Sequence, residues 1–343
     1  MGQKKEWTGK PTLMKELNMG LIRDALAKHP NSTRVELAAI TRISQPTVNE
    51  LIRQMRRENV VVSLGMARST GGRKAEVFAL NQKRSLIAAF LVRETGIDYR
   101  IMDLELKRED SGTVLYGSGT GRLERLCQAV RGILENRREI GVITVGVPGA
   151  VSEEGEVFAI PQIPEWEKFN LKDYLEEKFL LPVIVQNDLN AIALGHSCSY
   201  RDGTRDMVYI QIGSRGIGAG IIINGKLHPG FRSFAGEVGY MPLGETSGNE
   251  EYQKGDLDLR GRHSDLIPKI IVNVICVLNP EKIVIGGETM EADLLEQIRS
   301  DCRKFLPEEI LPEFVKMRSG TEFYFKGLGE SGKNLLNRHI RLV

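Results

Sequence analysis

Two kinds of hydrophobic pattern divide the chain near residue 82. Before this point, apolar residues recur at the three- and four-residue spacing of amphipathic helices. After it, short apolar runs alternate with further helical stretches, which is typical of α/β folds. We therefore predict a small, mostly helical domain over residues 1–82 and an α/β body that follows it.

The first domain is predicted to contain three helices and then two strands. The apolar residues expected on one side of the first helix, over residues 12–28, are Leu13, Leu17, Leu21, Ile22 and Leu26.

The second helix should begin with a T-x-x-E capping box formed by Thr33 and Glu36. Its expected apolar stripe is Val35, Leu37, Ala38, Ala39 and Ile40. Ser44 is a suitable N-cap residue for the third helix, whose expected core face is Val48, Leu51, Ile52 and Met55.

Two short helices joined by a tight turn are typical of a helix-turn-helix, in which the second helix enters the major groove of DNA. Two β-runs with the glycine-rich tip "STGGRK" follow and indicate a wing. Residues 1–82 contain 14 Lys and Arg against 7 Asp and Glu, whereas the remainder contains 33 against 38. A basic domain on a mildly acidic body favours DNA as the partner of the first domain.

The predicted DNA-binding residues lie at the start of the third helix and on the wing. Gln45, Thr47 and Asn49 are candidates for contacts to base edges, because amides and hydroxyls can form hydrogen bonds there. Ser44, directly before them, is a further predicted DNA-binding residue. The basic candidates, expected to bind the phosphate backbone, are Arg53, Arg68, Arg73 and Lys74. The alternative is a three-helix module that binds a protein through a solvated basic face.

Composition places the chain among globular proteins, with 41% hydrophobic and 27% charged residues. No apolar run approaches the roughly 18–20 residues that a membrane helix needs, and the N-terminus lacks the apolar segment of a signal peptide. The four cysteines are far apart and form no C-x-x-C pair. We expect a reduced, cytoplasmic protein without a cysteine-based metal site and without a membrane partner.

The stretch "LPVIVQNDLNAIALG", residues 181–195, holds the most informative polar residues of the body. A predicted strand ends in Gln186, Asn187 and Asp188, and a predicted helix follows at once. Three roles are open for the amide and the carboxylate at this junction: catalysis, ligand binding, or capping of the helix.

Several segments of the body, taken in order, resemble the ROK family of sugar kinases and sugar-responsive repressors. They are "VGVPGAV", "AIPQIPEW", "VIVQNDLNAIALG", "GIGAGIIINGKLHPGFRSFAGEVGYMPLG" and "LNPEKIVIGG". The helix-turn-helix and wing resemble the repressor branch. The resemblance implies an α/β fold in which a winged helix-turn-helix precedes a two-lobed, actin-like (ribonuclease H-like) body with a sugar between its lobes. We expect one lobe over residues 83–195, completed by a C-terminal helix over 327–343, and the other over 196–326.

The resemblance also implies which residues bind the sugar. In the kinases of this family the matching Asn and Asp hold sugar hydroxyls, and the Asp is the base toward the hydroxyl that accepts phosphate. The implied sugar-binding positions are Gly149, Gln162, Asn187, Asp188, Glu237, Tyr240 and Glu250. Glu251 is an alternative to Glu250, and packing in the core is an alternative role for Tyr240.

The sequence departs from the kinases at both phosphate loops. The kinase pattern D-x-G-G-T is replaced by "LVRET", residues 91–95, so that Leu91, Arg93 and Glu94 stand where the Asp and both glycines would be. Bulky side chains would obstruct the close approach of phosphate to the backbone. In the second loop Arg215 replaces the kinase Thr. We therefore expect no enzymatic activity and no cofactor. Arg93 and Arg215 are candidates for binding an anion such as a sugar phosphate.

The zinc site of the family is also altered. Its pattern G-E-x-G-H followed by three cysteines has Tyr240 in place of the His, and residues 241–256 contain no cysteine. We predict no metal site.

These features together predict a sugar-responsive regulator of transcription, a repressor, that binds double-stranded operator DNA as a homodimer or a dimer of dimers. Its effector is expected to be a small carbohydrate or sugar phosphate. Two alternatives remain open: an ATP-dependent sugar kinase that also binds DNA, and a regulator whose body binds a protein instead of a sugar.

Overall fold

The computed structural model describes residues 11–66, 75–117, 119, 121–200, 202–213, 216–242, 247–253, 264–287, 290, 292–317 and 320–339. The chain divides into two compact units. One comprises Met1–Ser85 with His339–Val343, and the other comprises Leu86–Arg338. The body is one unit in this division, so the predicted lobe limits, 83–195 and 196–326, stay a prediction.

The N-terminal unit contains three helices and a small antiparallel sheet. Its helices are α1 (Pro11–Lys28), α2 (Arg34–Thr41) and α3 (Gln45–Arg57). Its strands are β1 (Ser32–Thr33), β2 (Val61–Met66) and β3 (Glu76–Leu80), in the order β1-β3-β2. The turn between α2 and α3 passes through Arg42, whose φ of 58° reverses the chain direction within three residues. The predicted winged helix-turn-helix is confirmed.

The two helix starts predicted from the sequence are capped in different ways. The capping box is present, because the Thr33 side chain accepts a hydrogen bond from the Glu36 backbone and the Glu36 carboxylate accepts one from the Thr33 backbone. The Ser44 side chain, in contrast, makes no capping hydrogen bond, and its Oγ lies 2.8 Å from the Thr47 hydroxyl instead. Ser44 is the N-cap residue of α3, as predicted, and its backbone carbonyl accepts a hydrogen bond of 3.0 Å from the Val48 N–H.

Of the three apolar stripes predicted for the N-terminal unit, only that of α3 is completely buried. All four predicted residues of α3 are buried. In α1, Leu17 and Leu21 are 57% and 48% exposed, and the buried residues are Ile22, Ala25 and Leu26. In α2 Leu37 is buried, whereas Val35 and Ile40 are exposed. A short helix in a small unit packs along a narrow face, so apolar residues at the edges of its stripe remain in contact with water.

The first half of the body forms one five-stranded sheet with its helices. The strands in chain order are β4 (Leu86–Val92), β5 (Gly96–Met102), β6 (Arg108–Leu115), β7 (Ile140–Val147), β8 (Ala150–Val151), β9 (Glu156–Phe158), β10 (Phe169–Asn170) and β11 (Val183–Asn187). The helices are α4 (Arg122–Asn136), α5 (Leu171–Phe179) and α6 (Asp188–Ser197). The main sheet has the order β11-β7-β4-β5-β6, and β8, β9 and β10 form a small separate sheet.

The second half of the body repeats this arrangement. Its strands are β12 (Met207–Gly213), β13 (Gly216–Ile223), β14 (Lys226–Leu227), β15 (Lys282–Gly286) and β16 (Glu313–Lys316). Its helices are α7 (Gly248–Gln253), α8 (Leu266–Leu278), α9 (Ala292–Cys302) and α10 (Gly320–His339). Written from its other edge, the sheet has the order β16-β15-β12-β13-β14. In chain order, each sheet begins with three antiparallel strands, β4–β6 in the first and β12–β14 in the second. Two further strands, β7 and β11 or β15 and β16, then add in parallel to the first of the three. The two sheets confirm the predicted two-lobed, actin-like body.

The apolar runs of the sequence predict seven strands in the body, over residues 86–92, 99–106, 141–147, 182–186, 207–213, 218–225 and 282–287. All seven are present, five of them with shifted ends. The strand predicted over residues 99–106 runs from Gly96 to Met102, and Leu106 follows in a turn with a φ of 63°. The edge strands β6, β14 and β16 were not predicted. Strand β6 alternates between exposed and partly buried residues and carries charges, so it lacks the continuous apolar run that marks β4. The C-terminal helix α10 begins at residue 320, seven residues before its predicted start.

Helices α6 and α10 lie between the two sheets and share one apolar cluster with both. They cross where each has a glycine. A Cβ on Gly195 would overlap the carbonyl oxygen of Phe323, and a Cβ on Gly327 would overlap that of Ala191. The crossing matters for the site because α6 begins at Asp188, one of the predicted sugar-binding residues.

We expect Gly195→Ala to lower the free energy of unfolding by about 2 kcal/mol, because the added methyl group forces the two helices apart. The matched control is Gly132→Ala in α4, where a Cβ would meet no atom within 4 Å. The control should raise the stability by up to about 1 kcal/mol through helix propensity. Urea unfolding followed by circular dichroism measures both. Equal stability of the Gly195→Ala variant and the wild type would show that the helices do not cross this closely.

Among the residues that the structure describes, no helix combines the length and the apolar character needed to cross a bilayer.

Candidate functional site

The candidate sugar site begins where the parallel neighbours β7 and β11 end. Val147 is paired with Asn187, so the loop after β7 meets the start of α6 at the carboxyl edge of the sheet, where ligands of α/β folds bind. The Asn187 side chain donates a hydrogen bond of 3.0 Å to the Gly149 carbonyl and accepts one of 3.0 Å from the Asn190 backbone. The structure thus brings Gly149 and Asn187 together and assigns the helix cap to Asn187.

Asp188 is the first residue of α6 and is partly buried. Its Oδ1 accepts a hydrogen bond of 2.8 Å from the Leu189 backbone N–H. Burial, and to a lesser extent the nearby charge of Glu237, raises the pKa of Asp188 to about 6. Because Asn187 caps the helix, the Asp188 carboxylate is left to interact with a ligand. It can accept hydrogen bonds from hydroxyl groups once it is ionised.

Glu237 reaches the same site from the loop after β14. It directly follows Gly236, whose φ of 97° favours glycine and whose carbonyl accepts a 2.7 Å hydrogen bond from the Ala219 backbone of β13. Burial raises the pKa of Glu237 above its ordinary value. The charge of Glu237 also contributes to the raised pKa of Asp188, so the two carboxylates lie within electrostatic range. Two partly buried carboxylates are suited to a neutral ligand rich in hydroxyl donors.

Two tyrosines that the sequence did not predict lie within electrostatic range of Asp188. Tyr209 lies on β12 and Tyr324 on α10, and both are buried. Burial and the charge of Asp188 raise the pKa of both phenols. The Tyr209 hydroxyl donates to the Gln211 side chain, whereas the Tyr324 hydroxyl has no hydrogen-bond partner among the described residues. No local pattern marks either tyrosine, because they come from elements far from Asp188 in the sequence.

The other predicted sugar-binding residues occupy different environments. The Gln162 Oε1 is buried without a partner in the part of the chain that the structure describes, which suits a ligand contact. Tyr240 is 57% exposed, and its ring centroid lies 5.5 Å from that of Phe234, so it is not packed in the core. The Glu250 carboxylate accepts a hydrogen bond of 3.4 Å from the Ser247 backbone at the start of α7. No described contact joins Glu250 to Asp188, and the Glu251 side chain lies outside the described residues.

The turn between β4 and β5 stands where the kinases of the family have their phosphate loop. Leu91 is buried in β4, and the exposed Arg93 follows it. The Arg93 guanidinium binds the Asp98 carboxylate at 2.6 Å and the Thr321 hydroxyl at 3.1 Å. Arg93 therefore already has an anionic partner within the body, which weakens the prediction that it binds a phosphorylated ligand. Arg215, the second predicted anion-binding residue, lies outside the described residues.

The candidate DNA-binding surface lies at the start of α3. Gln45 and Arg53 are exposed, and Thr47 and Asn49 are partly exposed. The buried face of α3 holds the helix against the core through Val48 and the rest of its stripe, so these polar side chains point outward. A helix anchored on one face with amides and a guanidinium on the other can enter a major groove.

The basic residues of this unit are not equally available. Arg56 of α3 and Arg34 of α2 both bind the Glu76 carboxylate of β3, at 3.1 and 3.0 Å. They also lie over the Phe78 ring, at 5.9 and 4.3 Å from its centroid. Their ion pairs with Glu76 connect α2 and α3 to the sheet, so these two arginines are engaged within the unit. The predicted wing residues Arg68, Arg73 and Lys74 lie outside the described residues.

Among the described residues, no group of three or more His, Cys, Asp or Glu side chains is arranged to hold a metal ion.

Comparison with known proteins identifies relatives of this arrangement. The model of the ROK family matches residues 121–255. A "Xylose repressor" from Caldicellulosiruptor bescii is 30% identical over 247 residues, which cover 68% of this chain and 61% of the relative. This chain thus spans less than two thirds of the length of that relative.

Two further comparisons cover more of the chain. "DNA-binding transcriptional dual regulator NagC" from Escherichia coli is 26% identical over 367 aligned residues, covering 85% of this chain and 86% of the relative. The crystal structure of a ROK family transcriptional regulator, a homologue of the E. coli MLC protein, superposes with a TM-score of 0.72. That superposition covers 96% of this chain and 100% of the other at 17% identity, and it supports the fold.

Proposed function

The chain belongs to the ROK family, and from this premise we propose that it is a transcription regulator whose affinity for operator DNA is controlled by a carbohydrate. The single observation that best supports the proposal is the joining of a winged helix-turn-helix to a body in which Asp188 and Glu237 lie within electrostatic range of each other. A repressor is the form we favour, because relatives named as repressors match 68% and 85% of this chain.

The chemistry of the site supports a sugar as the effector. The Asp188 and Glu237 carboxylates accept hydrogen bonds from hydroxyl groups, and the unpartnered Gln162 Oε1 adds a neutral acceptor. A ligand that satisfies buried acceptors recovers the free energy that their desolvation costs. A neutral polyol meets this requirement, whereas a phosphate group would be repelled by two carboxylates. We therefore favour an unphosphorylated sugar.

Control of DNA binding requires that the sugar prefer one conformation of the protein. A tenfold change in operator affinity needs about 1.4 kcal/mol of differential binding between two states. A sugar that binds both states equally has no effect, however tightly it binds. Recognition by two copies of the chain, with their α3 helices roughly 34 Å apart along the DNA, would make such a modest change sufficient.

The experiment that tests the proposal is a titration of the full chain against its upstream DNA, followed by fluorescence anisotropy. We expect nanomolar binding that at least one neutral sugar, xylose being the first to try, changes by about tenfold or more. Unchanged DNA affinity with every sugar tested would contradict the proposal.

A sugar kinase is the second candidate, because the raised pKa of Asp188 also suits a catalytic base. The Arg93 side chain, bound to Asp98 and Thr321 where the kinases have a glycine loop, opposes it. The two are separated by incubating the full chain with ATP and the same sugars. Phosphate transfer that an Asp188→Asn variant abolishes would establish the kinase and overturn the proposal of a regulator without enzymatic activity.

A further inference from the structure

A cavity lies beside the candidate sugar site at Asn187. It measures about 320 Å³, within the range of roughly 300–1,000 Å³ that small-molecule sites occupy. Its wall includes Asn187, which belongs to the sugar site, and continues through Asn190 of α6 to Phe231 in the loop after β14. Because Asn187 belongs to both, the cavity and the sugar site are direct neighbours.

The wall of this cavity contains an unsatisfied polar group. Asn190 is 8% exposed, and its side-chain Oδ1 has no hydrogen-bond partner in the part of the chain that the structure describes. Its backbone N–H donates to the Asn187 side chain, which holds the residue at the mouth of the first site. A buried amide oxygen without a partner costs free energy, so the position favours a ligand that donates a hydrogen bond, such as a hydroxyl group.

The lining of the cavity also includes an aromatic ring. Phe231 is 98% exposed, although large apolar side chains are usually at least half covered. Two backbone hydrogen bonds fold its loop, from Ala235 to Pro229 at 3.0 Å and from Ser233 to Gly230 at 3.3 Å. The loop closes tightly, since a Cβ on Gly230 would lie 2.9 Å from that of Ala235. The folded loop therefore places the backbone of Phe231 at the cavity, and the ring itself is exposed to a ligand.

An apolar ring and an unpaired amide oxygen in the lining of one cavity match the two kinds of surface of a second sugar ring. The face of a pyranose carries C–H groups that pack on the electron-rich face of an aromatic ring, while its edge carries hydroxyl donors. We propose that this cavity is a subsite for the second ring of a disaccharide, whose first ring binds at Asp188. The proposal rests on the proposed sugar-sensing function and narrows its effector to glycosides of two rings.

The test measures binding of matched sugars to the full chain by titration calorimetry. The probes are xylose, glucose and N-acetylglucosamine, each beside its β-1,4-linked disaccharide. We expect at least one disaccharide to bind about tenfold or more tightly than its own monosaccharide, as burial of a stacked ring would give.

The variants are Phe231→Ala and, as a matched control, Phe305→Ala, which removes a ring that is 57% exposed and does not line the cavity. Phe231→Ala should weaken the disaccharide about tenfold and leave the monosaccharide unchanged, because it removes a contact to the second ring alone. Phe305→Ala should change neither. Since Phe231 is almost fully exposed, its replacement should not impair folding.

The outcomes separate the subsite from the function on which it rests. Monosaccharides that bind as tightly as disaccharides, or a Phe231→Ala variant that weakens both equally, would overturn the subsite and leave the sugar sensor standing. No binding of any sugar would overturn both.

Discussion

Asp188→Asn is expected to abolish the response to the effector and at the same time to stabilise the protein. Loss of the charged acceptor should weaken sugar binding about 100-fold, since a buried hydrogen bond to a charged group contributes about 1.5–3 kcal/mol. DNA binding without sugar should be unchanged. The gain in stability follows from the pKa of about 6, because an ionised Asp188 is costly in its partly buried position.

The sign of the pH dependence follows from the same pKa. The folded-state pKa of Asp188 lies above the ordinary value of 3.8, so the folded protein holds this proton more tightly than the unfolded chain. The associated stability is complete below about pH 4 and is lost as the pH rises through 6. Above pH 6 the Asn variant should therefore be more stable than the wild type, by at most about 3 kcal/mol.

Two measurements check this prediction. Urea unfolding at several pH values should show the variant and the wild type diverging between pH 4 and 6, and calorimetry should show wild-type sugar affinity rising over the interval around pH 6. The control is Asp110→Asn, an exposed carboxylate on β6 with a distant partner, Arg137, at 3.9 Å. An Asp188→Asn variant that responds to sugar like the wild type would remove Asp188 from the site.

Replacing Gln45 and Arg53 should produce the second large effect, a loss of operator binding. Gln45→Ala is expected to cost about 1–3 kcal/mol and to relax the preference for one base, since an amide can pair with base edges. Arg53→Ala should weaken binding to all sequences and reduce the slope of affinity against salt by about 1. The double variant should lose 100-fold or more, if the two contacts add as independent sites usually do.

Fluorescence anisotropy over a range of salt concentrations distinguishes the two residues. The control is Arg138→Ala, which removes an exposed arginine from the body. It should leave both affinity and salt slope unchanged. Wild-type operator affinity in the double variant would contradict the assignment of α3 as the recognition helix.

The sequence predictions succeeded where the relevant contacts are local. The capping box at Thr33 and Glu36 spans four residues, and the buried face of α3 spans little more than two turns. Both depend on spacings that are visible in the chain itself. The stripes of α1 and α2 were predicted by the same rule and are partly exposed, because which edge of a stripe is covered depends on the neighbouring helices.

In the candidate site, too, local features were predicted from the sequence and long-range contacts were not. The amino-acid sequence alone was sufficient to place Asn187 and Asp188 at a strand–helix junction and to identify the family. Tertiary structure decided which of the two caps the helix, because the Asn187 amide also donates to the Gly149 carbonyl in the loop after β7. It also brought Tyr324 to Asp188 from the last described helix.

What the sequence by itself determined is the succession of elements, the winged helix-turn-helix and the polar residues at the end of β11. These follow from hydrophobic period, capping and turn chemistry within short stretches of chain. Only the tertiary structure decided that Asp188 is partly buried near Glu237, that Arg93 is bound to Asp98, and that Phe231 lines the cavity beside Asn187. Burial and charge proximity join residues from distant segments, and no periodicity along the chain records such pairs.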